Sequence, residues 1–251
     1  MMKKILLVLS LFCLPLAAMA DSLGVRVGIA GWEYDIQGFA RYQSTNEADN
    51  IDVNDDLGYD NDSLRFYYVI LEHPVPVLPN VRITRTDIDT SADGVLSSNF
   101  TYGNITFTVN EPVSSQVELK QTDVTLYYQL LDNVVGLDLG LNAKQIDSQA
   151  AITGSVSGTE SAEVSGWVPM LYAGASFDFP VTGLGVSADG SYVTYDGSKF
   201  YDYILRATYT SPWFLGVELG YRSLRLDLDD FDSSYADIEF DGYYLGAYLQ
   251  F

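Results

Sequence analysis

The sequence predicts an all-β protein: a closed, antiparallel, up-and-down β-barrel that crosses a membrane. Three observations carry that prediction. After residue 20 no apolar run is long enough for a spanning helix, yet 47% of the residues are hydrophobic and 19 are tyrosine. Apolar residues recur at every second position in repeated segments of about nine residues, the length of one tilted membrane strand. The charged face of those segments, not the apolar one, carries the glycines, as in a crowded barrel interior rather than a soluble sandwich. In hydrocarbon every backbone N–H and C=O needs an internal partner, which leaves only helices and closed barrels.

Residues 1–20 have the layout of a cleaved signal peptide. Met1, Met2, Lys3 and Lys4 give a short positive start, and Ile5 to Leu16 is apolar. Ala18-Met19-Ala20 then offers small residues at both positions a signal peptidase reads. The apolar run is shorter than the roughly 20 residues of a membrane anchor. Cleavage before Asp21 is expected, with residues 21–251 forming one outer-membrane β-barrel domain. The single cysteine, Cys13, follows bulky Leu11-Phe12, unlike a lipidation site. Beyond it no thiol remains to mispair in an oxidising periplasm. Loss of the leader removes two lysines and no acid, moving the net charge from −21 to −23. Such a balance excludes nucleic acid as a partner class. The expected location is the outer membrane, reached through the periplasm.

Ten strands are predicted in chain order, beginning near Leu23, Leu64, Val81, Gln116, Val134, Ser165, Leu184, Phe200, Leu215 and Ile238. In the fifth, Val135, Leu137, Leu139, Leu141 and Ala143 oppose Gly136, Asp138, Gly140, Asn142 and Lys144. In the sixth, Leu171, Ala173, Ala175, Phe177 and Phe179 share a face, as do Tyr203, Leu205, Ala207 and Tyr209 in the eighth. Leu215, Val217, Leu219 and Tyr221 follow in the ninth. The last strand sets Tyr243, Leu245, Ala247, Leu249 and Phe251 against Gly242, Tyr244, Gly246, Tyr248 and Gln250. An alternating strand ending on a free Phe resembles the terminal signature of outer-membrane barrels, where it is read by the barrel-assembly machinery.

Short turns and long polar loops alternate, as periplasmic turns and extracellular loops do in such barrels. The short ones are His73 to Asn80, Asp132-Asn133, Pro180 to Gly183 and Ser211 to Trp213. The long ones fall near Ser44–Ser63, Ala92–Ser115, Gln149–Ser161 and Asp227–Asp237, with a tighter one at Asp196–Lys199. Asn99 to Val109 is strand-like without a partner and reads as a hairpin above the membrane; if it crossed, the count would be twelve, and eight is the smaller alternative. Pro169, inside a strand, calls for a bulge. Across Ser211-Pro212-Trp213, Tyr209 is expected opposite Leu215. That register sets Arg206 against Glu218 and Asp202 against Arg222.

Several segments resemble a family of proteobacterial outer-membrane barrels that carries no assigned activity. They are Glu72-His73-Pro74-Val75-Pro76-Val77-Leu78-Pro79-Asn80, the Gly28 to Trp32 stretch, Tyr127-Tyr128 before Asp132-Asn133, and the turn at Pro180. The resemblance spans the chain beyond the leader and implies fold and location; it carries over no catalytic or ligand residue.

Candidate chemistry is sparse. The one histidine, His73, sits between Glu72 and prolines in a periplasmic turn, far from where a surface enzyme would need its base. Asp52-x-Asn54-x-Asp56 starts like a calcium loop, but its glycine, Gly58, comes one place late and Ser63 replaces the bidentate Glu. No metal site, catalytic set or cofactor is therefore assigned. The Asp49 to Asp62 run and Asp227, Asp229, Asp230 and Asp232 read as solvated loop charge. The informative polar set points inward: Arg26, Arg65, Arg82, Lys144, Arg206 and Arg222 with Asp123, Asp138, Asp178, Asp189, Asp202 and Glu218. Six cations and six anions in a small lumen read as a paired network filling the barrel. The expected role is structural or interactive, with acidic extracellular loops facing partners and outer-membrane lipid and lipopolysaccharide around a monomeric barrel. The alternatives are a narrow, porin-like channel for a small solute and, behind it, a surface hydrolase or acyltransferase.

Overall fold

A computed structural model describes residues 23–231 and 233–251; the expected leader lies outside them. The strands are β1 (Gly24–Tyr42), β2 (Ile51–Asp52), β3 (Asp62–Glu72), β4 (Asn80–Val95), β5 (Phe100–Tyr102), β6 (Ile105–Phe107) and β7 (Pro112–Asp132). They continue with β8 (Val135–Gly154), β9 (Gly158–Asp178), β10 (Leu184–Tyr195), β11 (Ser198–Thr210), β12 (Leu215–Phe231) and β13 (Ser234–Gln250). Ten of them, β1, β3, β4 and β7 to β13, make the wall in sequence order, and β13 pairs back onto β1. Val25 and Phe251 complete the closure with reciprocal backbone bonds of 3.1 and 2.9 Å. Both termini lie at one rim, with the short turns, which we take as periplasmic.

The stagger of the closure sets the strand tilt. Direct partners followed from Val25 through Leu71, Val81, Leu126, Leu141, Leu171, Tyr192, Tyr201, Arg225 and Glu239 return to β1 at Gln37, 12 residues higher (25 to 37). Each step round the wall therefore climbs a little more than one residue, which is what tilts the strands.

The lipid face is an apolar band bounded by aromatic rings. Val27, Ile29, Leu141, Leu171, Leu205, Leu219 and Leu245 are exposed on it. Phe177 packs on Phe179 and Phe214 on Phe251 at the lower edge, and Tyr203, Tyr221 and Tyr243 form a contiguous row at the upper edge. Such girdles mark the two interfaces.

Above the upper girdle the hydrophobic face inverts. In β1, Val27 and Ile29 point out as far as Gly31; beyond it Trp32, Tyr34 and Ile36 are buried inside while Glu33, Asp35 and Gln37 face water. The same exchange runs from outward Ile83 to buried Ile88 in β4, Leu141 to Ile152 in β8, and Leu219 to Leu224 in β12. Outside the bilayer the wall thus becomes a water-soluble barrel with an apolar core.

That change of solvent explains where sequence expectation and structure differ. The polar stretches Gln149–Ser161 and Asp227–Asp237 are not long loops: β8 and β9 continue to a turn at Ser155–Ser157, and β12 and β13 reach Phe231 and Ser234. Their polar residues are the watered face of strands. Pro169 needs no bulge, because β9 pairs with β8 without a break there (Ala143 opposite Pro169) while its pairing with β10 has already ended at Leu171. The missing N–H falls where no ladder asks for it. Register shifts lie instead in β7, between Gln129 and Leu131, and at the outer end of β12, between Leu228 and Phe231.

Candidate functional site

The inward face is layered. At the periplasmic end Arg26 donates to Gln250 at 2.8 Å, and Glu72 accepts from the Tyr127 hydroxyl at 2.9 Å. Above this lie two carboxylates that each hold two cations. Asp189 bridges Arg82 and Arg206, and Asp202 bridges Lys144 at 2.9 Å and Arg222 at 2.7 Å. Lys144 also meets Asp123 at 2.8 Å and Gln121 at 3.0 Å. Arg222 bonds Thr86 at 3.0 Å and lies over the rings of Trp32 and Phe66. Lys144 and Arg222 are fully buried, at 0% and 1% exposure. A charge so placed is tolerated only with partners on every side. A cavity of about 40 Å³ remains beside the clusters, lined by Arg82, Asp123, Asn142, Asp189 and Asp202 among others. That is room for very little water.

Glycine makes the packing fit. The rings of Tyr68, Tyr244 and Tyr248 lie on Gly28, Gly220 and Gly216, where a Cβ would come within 2.1–2.3 Å of ring carbon. Glu218 sits likewise beside Gly246, buried, with both carboxyl oxygens lacking a hydrogen-bond partner among the described residues.

Of the residues the sequence grouped, Arg82, Lys144, Asp123, Asp189, Asp202, Arg206 and Arg222 form the ion clusters. Arg26 is inward but bonded to an amide, and Asp138 lies inward opposite Gly174 without an ion pair among the described residues. Asp178 shares the inward parity and is exposed at the periplasmic rim. Two expectations are corrected. Arg65 is not inside: it pairs with Gly31 and shares the exposed outer face with Tyr67, Val69 and Leu71. The β11–β12 hairpin is slipped by two residues, with Tyr209 opposite Val217 and Arg206 opposite Gly220. Four residues, Ser211 to Phe214, make the turn, and Phe214 adopts φ 64°. Arg206 therefore reaches Asp189 rather than Glu218, while Asp202 and Arg222 still meet diagonally. The cross-strand attraction that favoured the other register is worth only about 0.2–1 kcal/mol per pair, less than two-cation bridges and Tyr-on-Gly packing can decide. Gln121 and Thr86 were missed, although their parity with Asp123 and Arg82 places them on the inner face; Asn142, placed by the sequence on one face with Lys144, joins the cluster through Asp123.

A second construction closes the extracellular mouth. The β1–β3 connection supplies Ile51, Val53, Leu57 and Tyr59, and the β4–β7 connection supplies Leu96, Phe100 and Phe107, all buried. The β5–β6 hairpin stands above the membrane, as its composition suggested, and spans the opening. On one side Gly103 donates to Tyr42 O at 3.1 Å and Thr101 to Asp49 at 2.9 Å. On the other Gly103 abuts Glu160 and Ile105 approaches Gly158, at the tip of β9. Strands β1 and β9 are diametrically opposed, with four strands between them either way round. Two carboxylates fasten this cap. Asp56 accepts from the Ser97 amide and hydroxyl at 3.0 and 2.5 Å; burial alone would raise its pKa, but these bonds hold it below the usual range. Glu111 accepts from the Ser157 hydroxyl and from the Ser157 and Val156 amides, each at 2.7 Å, tying the second loop to the third. The Ser157 bonds, with those of Val156 and Thr108, lower its pKa to about 2.

No family model and no curated protein matches the chain. Among solved structures it is similar to the outer membrane protease OmpT from Escherichia coli, with TM-score 0.57 and 12% identity over 94% of this chain and 99% of that one. Weaker likenesses include Ail, the attachment invasion locus protein of Yersinia pestis, with TM-score 0.40 and 10% identity over 90% and 99%. The transport unit of the autotransporter AIDA-I from Escherichia coli gives TM-score 0.40 and 11% identity over 96% and 94%. At 12% identity the likeness to OmpT speaks for the fold alone. With its closed ten-strand wall, lipid-facing band and paired aromatic girdles, the chain has the fold of an outer-membrane β-barrel.

Proposed function

We propose that the protein is a closed structural and interaction barrel whose working surface is its extracellular cap, not its lumen. The single observation behind this is the layered filling: charge clusters occupy the membrane-level interior, and an apolar core with a diametral hairpin occupies the mouth. Barrels that conduct water-filled currents keep a wide lumen, and here the space beside the clusters is about 40 Å³. The histidine favours the same reading over a surface enzyme. His73 Nε2 lies 3.1 Å from Pro79 O, and the His73 amide donates to Asn80, so the ring stiffens the periplasmic turn. That turn is also what likens the chain to a family of small proteobacterial barrels. The likeness to a protease remains one of fold. Planar-bilayer recording tests the proposal: the inserted protein should give no stepwise conductance. A steady open level in the wild type would refute it in favour of a narrow solute channel.

A further inference from the structure

On the outer face the upper row of tyrosines covers four adjacent strands of the wall. Tyr192, Tyr203, Tyr221 and Tyr243 occupy the upper edge of the apolar band on β10 to β13. Corrected for the stagger, the positions at the same level on β3 and β4 are Arg65 and Arg85, within roughly one residue of Tyr243. Both point outward, above exposed Tyr67, Val69 and Ile83. Arg65 has no hydrogen-bond, ion-pair or ring partner among the described residues, and Gly31 opposite it leaves open space, with nothing within 4 Å of where a Cβ would stand. Arg85 is braced by the Thr122 hydroxyl at 2.8 Å and by exposed Asp87 at 2.6 Å. Elsewhere on the outer surface Arg225 is consumed by Asp237, at 2.6 and 2.7 Å. An unpartnered guanidinium beside a braced one, at the level of the lipid headgroups, is the fork that recognises phosphate bidentately. Apolar side chains directly below it suit acyl chains.

We propose that Arg65 and Arg85 form a binding site for the phosphorylated sugar head of an outer-leaflet glycolipid, whose acyl chains run down over Tyr67, Val69 and Ile83. The site lies on the lipid face, so it stands or falls independently of whether the lumen conducts.

Native mass spectrometry of the intact protein in non-ionic detergent, titrated with bis-phosphorylated or dephosphorylated lipid A, tests this. The wild type should retain the phosphorylated form at least tenfold more tightly. Arg65→Gln/Arg85→Gln should abolish that preference, and Arg225→Gln, an outward arginine already satisfied, should keep it. Heat-resistant gel mobility of each variant reports that the barrel is intact. A preference that survives the double exchange, or that falls equally in Arg225→Gln, overturns the proposal. Displacement of the lipid by inorganic phosphate at the same concentration would overturn the lipid as the ligand.

Discussion

Replacing Asp202 with Asn should be among the most damaging single-atom changes available to the interior. The carboxylate accepts from Arg222 Nε at 3.0 Å and Nη2 at 2.7 Å, and from Lys144 Nζ at 2.9 Å. Asparagine keeps the shape but removes the charge, and its amide can offer only one oxygen to two buried cations. Breaking a buried pair costs about 3–5 kcal/mol, most of it the penalty of the charge left behind. Here the loss is cushioned. Lys144 keeps Asp123 at 2.8 Å, and Arg222 keeps Thr86 and the faces of Trp32 and Phe66. The lower end, about 3 kcal/mol, is therefore expected, a little over a hundredfold in the folded-to-unfolded ratio. The matched surface control is Asp227→Asn, which breaks the exposed Lys199 pair at 3.3 Å and should cost about 0.2–1 kcal/mol. Urea unfolding of the barrel refolded in detergent, read as the gel-resolved folded fraction, gives both values. If Asp202→Asn falls within about 1 kcal/mol of the surface control, the interior is wetter than its geometry implies and the account of the network fails.

Three further outcomes are expected. Phe251→Asp should depress membrane assembly far more than Gln250→Asp, because Phe251 faces lipid and stacks on Phe214 while Gln250 faces Arg26; equal membrane yields would contradict the facing. Gly216→Ala would place a Cβ 2.1 Å from the Tyr248 ring and should cost about 1–3 kcal/mol as overpacking, with Tyr248→Ala in the same chain restoring much of the loss; additive costs in the double variant would argue against ring-on-glycine packing. Glu111, held at about 2 against an ordinary 4.5, stabilises the cap fully above pH 4.5 and loses that contribution as pH falls toward 2. The protection factors of the Val156 and Ser157 amides, each taken against the intrinsic exchange rate at that pH, should therefore fall through that window in the wild type and stay flat in Glu111→Gln, and a flat wild-type profile would sink the assignment.

The membrane part of the fold was legible because lipid enforces a two-residue period without exceptions. A charged residue at the midplane of the outer face costs about 2–4 kcal/mol, so the facing of Arg206, Asp202, Glu218 and Arg222 could be read directly. Near the interface that penalty falls to about 0–1 kcal/mol, and there the inference broke: Arg65 looked inward by chemistry, yet Tyr67, Val69 and Leu71 fix its parity outward. Register was harder still, since slips of two residues leave every facing intact. The ladder between β11 and β12 was settled by Phe214 in a left-handed turn conformation and by partners of Arg206 from β10. Neither is a nearest-neighbour property of the hairpin.

The extracellular half carried a signal that reading for lipid alone conceals. A strand that leaves the bilayer keeps its period but exchanges its solvent, so the apolar residues must change face without any change in spacing. Gly31, between Ile29 outside and Trp32 inside, marks that exchange in β1. Tyr243, between Asp241 and Leu245, marks it in β13. Because the exchange costs one half-period, a window that sums hydrophobicity by parity cancels across it, and the upper segment passes for a polar loop. Gln149–Ser161 and Asp227–Asp237 were hidden in this way. The inversion has a mechanical consequence as well. Below it the barrel is held by lipid outside and paired charge inside; above it, by burial of Ile51, Leu96, Phe100, Phe107 and their neighbours against the wall and by the bonds to Asp56 and Glu111. A cap resting on its own core can vary its rim without disturbing the charge clusters beneath, as the interaction role proposed for the loops requires.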